Sequence, residues 1–149
     1  MKFTKDLCVG NRIIDSEHKM LLNMINVISR SIAVRNVDVL LEAFELLENS
    51  FCAYFVAEEN IAQALNFDFN QHKLAHQNLL NNFKRIKDEL MKKNGNWSRS
   101  EEEDFINSMK DCLIHHIKED GKSFKIVLNT QYYDFRPNWT GGALSYMNV

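Results

Sequence analysis

The stretch HKLAHQNLLNNFKRIKDELM, residues 72–91, decides the fold. Its His72, His76, Leu79, Phe83, Ile86 and Leu90 recur every three or four residues, the repeat of one face of an α-helix. Proline and glycine are absent from it, and the remaining positions are mostly polar or charged. One side of this helix therefore faces a core and the other faces water. Two histidines lie on the core side.

The same periodicity extends outward in both directions. Residues 66–70 read as a turn, and before them a helix over 38–65 sets Leu40, Phe44, Leu47, Phe51, Tyr54, Glu58, Ile61 and Leu65 on one face. A first helix is expected from Asp15 as N-cap to about residue 33, with Ile14, His18, Leu21, Ile25, Ile28 and Ile32 as its buried stripe. Beyond the polar link over 93–96, Ser98 and Glu101 have capping-box spacing. They open a fourth helix whose seam is Phe105, Met109, Cys112, His116, Asp120, Phe124 and Val127. His115 shares its face with Ser108, Asp111, Lys118 and Glu119, so helical geometry turns it toward solvent.

The single proline is Pro137, and the glycines (Gly10, Gly95, Gly121, Gly141, Gly142) leave long stretches with no helix breaker. The expected fold is all-α, an up-down-up-down antiparallel four-helix bundle over residues 1–128. Residues 129–149, where Tyr132, Tyr133, Phe135, Trp139 and Tyr146 mix with proline and glycine, are expected to form an irregular C-terminal tail.

The 149 residues suit one domain, and 45% apolar with 26% charged residues is the balance of a soluble globular protein. No apolar run approaches the ~20 residues a membrane helix needs. A formal net charge of -2, with both signs spread along the chain, argues against nucleic acid and anionic membranes as partners. The first ten residues lack the apolar core of a signal peptide, and Cys8, Cys52 and Cys112 are odd in number and far apart, so reduced thiols in the cytoplasm are expected. Phosphate loops, zinc-finger spacings and nucleophiles beside an activating base are all missing.

In the expected topology His18, Glu58, His72 and His76 fall near one end of the bundle, with Tyr54 and His116 two to three turns deeper. Any one of these has an innocent reading, since a core histidine is satisfied by one hydrogen bond. Together they put four of the five histidines and two carboxylates on otherwise apolar seams. An unpaired buried carboxylate is unfavourable by several kcal/mol, and a metal ion removes that penalty. The pairs His72 and His76, Tyr54 and Glu58, and His116 and Asp120 have the four-residue spacing that lets two side chains chelate one ion. Imidazole with carboxylate suits iron or zinc, and a bridging carboxylate suits a dinuclear iron or manganese site.

The run Val9-Gly10, Ile14-Asp15-Ser16-Glu17-His18, Leu22 and Ile25-Asn26 resembles the opening of the bacterial hemerythrins, with Phe3 where that family usually has tryptophan. Phe55 with Glu58-Glu59, His72-Lys73-Leu74-Ala75-His76, and Cys112-Leu113 before His116-Ile117 are similar to its later motifs. The resemblance implies two irons joined by a glutamate, an aspartate and an oxo or hydroxo bridge, and reversible binding of O2. Carried over by position, His72, His76 and His116 would hold one iron and His18 the other, with Glu58 bridging. The chain departs from the pattern twice. Tyr54 stands where the second iron's other histidine belongs, and Gly121 stands where the aspartate belongs, with Asp120 one place early. Asp120 is expected to bind, with Gly121 allowing the helix to deform. Tyr54 is either a phenolate ligand or a neutral phenol that donates a hydrogen bond or fills space, and the latter leaves one iron on three histidines and a carboxylate.

The implied role is binding rather than catalysis: uptake of O2 or another small diatomic or anionic ligand for storage, delivery or sensing. An iron-dependent redox enzyme acting on ferrous iron, peroxide or nitric oxide, and a bundle without metal that serves as an interaction module, are the alternatives. The aromatic tail is expected either to cover the bundle or to meet a protein partner.

Overall fold

The computed structural model describes residues 1–130. Four long helices, α1 (Arg12–Val34), α2 (Val37–Ala64), α3 (Asn70–Lys93) and α4 (Arg99–His115), are followed by a π turn (His116–Asp120) and a short α5 (Lys122–Thr130). A 3-10 turn, Lys5–Leu7, precedes them. α1 packs on α2 and α4, and α3 packs on the same two, which closes a ring of four antiparallel helices. No helix among the described residues is long and apolar enough to cross a membrane.

The buried faces are those the periodicity selects. Leu21, Ile25, Ile28 and Ile32 of α1 meet Leu40, Phe44, Leu47 and Phe51 of α2 and Phe83 and Leu90 of α3 in one continuous core. Ser98 caps α4 with both arms of the capping box formed. α1 and α3 end on left-handed residues, Arg35 (φ 58°) and Asn94 (φ 47°), which turns the chain sharply into the next helix.

Two expectations about helix limits are corrected. The N-cap of α1 is Asn11, whose side-chain oxygen accepts from the Ile13 and Ile14 N–H groups at 3.0 and 3.2 Å. Asp15 lies inside the first turn and reaches back instead, accepting from the Val9 and Gly10 N–H groups at 2.7 and 3.2 Å. Both residue types are good caps; here Asn11 serves the first turn of the helix and Asp15 the chain before it. At the other end Asn129 and Thr130 belong to α5, so helix replaces the start of the irregular tail. The rest of that tail, residues 131–149, lies outside the described residues.

The fourth helix is not continuous. Gly121 N–H donates to the His116 carbonyl at 3.0 Å, a five-residue span, and the extra residue turns everything after it. Asp120, expected on the seam, carries a side chain 31% exposed. Gly121 and Phe124 take the buried positions. Upstream, Cys112 is only half-buried, and Leu113 fills the core beside it.

Candidate metal centre

Four histidines, one glutamate and one tyrosine meet at the end of the bundle where α1 and α3 begin and α2 and α4 end. Each of His18, Tyr54, Glu58, His72, His76 and His116 is at most 5% exposed. Glu58 Oε2 is the hub: His72 Nε2 lies 2.7 Å from it and His76 Nε2 2.8 Å. One donor atom each from Glu58, His72, His76 and His116 falls within 4.8 Å of all the others. On the far side, Glu58 Oε1 is 3.9 Å from His18 Nε2. Tyr54 Oη sits between two histidines, 2.8 Å from His18 Nε2 and 3.4 Å from His116 Nε2.

The rings are held from behind. His72 Nδ1–H donates to the Asp120 carbonyl at 3.0 Å, so its Nε2 is the nitrogen turned inward. A backbone carbonyl behind an imidazole is the usual means of orienting a ligating histidine. Phe55 stacks on His76 with ring centroids 4.0 Å apart and planes 14° apart. Asp120 Oδ2 approaches His116 Nδ1 at 3.4 Å, off the line of a hydrogen bond. Its other oxygen lies 3.8 Å from His115, whose side chain is 66% exposed, in keeping with a surface residue.

The electrostatics are those of a site arranged around one negative charge. Burial opposes the ionised form of Glu58, but hydrogen bonds from His72 and His76 overcome it and hold the carboxyl well below its usual range. Burial pushes His18 and His76 down to about 4, against the pull of Glu58. His72 goes the other way, because its contacts with Glu58 and the Asp120 carbonyl outweigh its burial. Tyr54 is raised well above its ordinary value, first by burial and then by the Glu58 charge. One carboxylate among buried imidazoles, with two Nε2 atoms on a single carboxylate oxygen, is a donor set that fits a dication of the borderline-hard kind.

A cavity of about 10 Å³ adjoins these groups, lined by His18, Tyr54, Glu58, His72 and His116 and closed by Val9, Ile117, Gly121 and Phe124. It has room for one water-sized species. Of the residues the sequence pointed to, His18, Tyr54, Glu58, His72, His76 and His116 converge. Asp120 contributes its backbone carbonyl to His72 and turns its carboxylate toward the surface. Phe124 stands on the expected seam, whereas Val9, Ile117 and the carbonyl behind His72 carried no signal in the periodicity.

Gly121 is needed where it stands. A Cβ there would lie 2.9 Å from the Ile117 carbonyl oxygen, a backbone atom that has to move. Gly121→Ala is expected to destabilise the protein by about 1–3 kcal/mol. Because the shift displaces the Asp120 carbonyl from His72, it should also weaken metal binding, which chelator competition would measure alongside urea unfolding.

Fold and donor set together define a cation-binding four-helix bundle. The family model described as the hemerythrin HHE cation binding domain matches residues 9–125. That is most of the chain, and the protein belongs to the hemerythrin HHE family. No curated protein and no solved structure matches the chain.

Proposed function

We propose that the protein binds non-haem iron in the Glu58, His72, His76 and His116 set and takes up O2 or another small diatomic or anionic ligand there, for storage, delivery or sensing in the cytoplasm. The observation that carries this reading is the convergence of three buried imidazoles and one buried carboxylate, each with a donor atom within 4.8 Å of the others. Bound iron would supply the redox-active centre at which such a ligand is held.

The chain's own residues set the conditions. Glu58 balances charge, and the Asp120 carbonyl fixes His72 in the tautomer that leaves Nε2 free to ligate. Val9, Ile117 and Phe124 give the adjoining cavity apolar walls, which disfavour water there and favour retention of a small ligand. Tyr54 and His18 offer polar groups at the cavity wall.

The test is metal analysis of protein purified from iron-replete cells, followed by visible spectra of the reduced protein under argon, O2 and argon again. Bound iron and a spectrum that changes with O2 and reverts are expected. Protein that takes up no iron, or iron that oxidises once without reverting, would remove the O2-binding role.

A further inference from the structure

We propose that the chain holds one metal ion rather than two, and that the hydrogen-bonded pair Tyr54 and His18 stands in the place of the second. This rests on the reading of the site as an iron centre and narrows it.

Three observations carry the inference. Tyr54 Oη lies 2.8 Å from His18 Nε2, so the only inward nitrogen of His18 is engaged by the phenol. The nitrogen that His18 would turn toward a second ion is thus held by Tyr54.

The second observation is the π turn. It brings position 121 to the cavity wall, where the residue is glycine, while the neighbouring carboxylate of Asp120 points away toward His116 Nδ1 and His115. Glu58 is left as the one carboxylate in the buried donor cluster. With one carboxylate in the cluster, a second dication would be held less firmly than the first. The third is space: the cavity of about 10 Å³ beside the donor set admits one water-sized species. A second ion in it would leave no room for the exogenous ligand.

With one ion in place, the Tyr54 and His18 pair lines the space where an exogenous ligand would sit. Tyr54 is then a positioning residue for that ligand, offering its hydroxyl rather than a bond to metal.

Iron per chain and the visible spectrum of the full-length protein, for the native sequence and for Tyr54→Phe, Tyr54→His and His18→Ala, test this. About one iron per chain is expected in the native protein, Tyr54→Phe and His18→Ala, with no visible band lost in Tyr54→Phe. Tyr54→His should raise the content to about two and add the near-ultraviolet bands of an oxo-bridged pair. Two irons in the native protein overturn the proposal, and a broad phenolate-to-iron band that vanishes in Tyr54→Phe would identify Tyr54 as a ligand. A Tyr54→His protein that folds but stays at one iron overturns the assignment to Tyr54. No iron in any of the four overturns the metal reading itself, a result distinct from a count of two.

Discussion

Glu58→Ala is expected to abolish metal uptake and to lower stability even in the metal-free protein. Glu58 is the only carboxylate in the four-donor cluster. Without it a dication would have to enter a buried site of neutral imidazoles, with no negative charge to offset its desolvation. In the metal-free protein the same carboxylate oxygen accepts from His72 and His76 at 2.7 and 2.8 Å, and the truncation strands both donors. A broken buried charged pair is worth about 3–5 kcal/mol. Metal analysis after reconstitution should return the background of the chelator-treated protein, and urea unfolding should show the loss of stability. Glu58→Gln separates the two effects, since it keeps the volume and one acceptor but loses the charge. It should unfold nearer to the native protein and still bind no iron. Iron held at native stoichiometry by Glu58→Ala would mean that the ion sits elsewhere.

The second large effect falls in the core. Phe51 is fully buried and contacts Phe55 and Phe83 at centroid separations of 5.5 and 5.2 Å. Phe55 in turn stacks on His76. Phe51→Ala is expected to destabilise the protein by about 3–5 kcal/mol, from lost burial and an incompletely filled cavity. Because no donor atom is touched, iron stoichiometry should stay native while affinity falls, as Phe55 loses the surface that presses it on His76. Saturating iron should recover part of the lost melting temperature, since a ligand that binds only the folded state stabilises it by mass action. Calorimetry with and without added iron measures both. A loss below about 1 kcal/mol would show that the core relaxes to fill the gap.

The bundle was legible in the sequence because its signal is repeated. Every long helix repeats apolar residues at three and four, and the polar exceptions on those seams, His18, Glu58, His72, His76 and His116, are the residues that converge. Single events were harder to read. Asn11 and Asp15 are both competent caps four residues apart, and composition does not say which captures the first turn; the structure gives the cap to Asn11 and uses Asp15 to tie Val9 and Gly10 down. The π turn left only Gly121 as a trace. A regular helix put Asp120 on the seam, and one added residue moved its carboxylate outward and turned its carbonyl to His72. Backbone groups leave no mark in side-chain periodicity, so this contact was beyond reach of the pattern.

That added residue also acts as a phase shift. One residue is about 100° of helical rotation, so the helix before His116 and the helix after Asp120 answer to different partners. Upstream, Phe105, Met109 and Leu113 keep step with the bundle. Downstream, Phe124 is swung over the open end of the bundle, against Phe67, Phe69 and His72. Were the same residues wound as an unbroken helix, the four-helix ring would stay intact, yet Phe124 would lie about a quarter-turn off the metal end. The architecture of the bundle and the closure of its site are thus set by separate lengths of chain, joined by one turn that absorbs an added residue without passing it on.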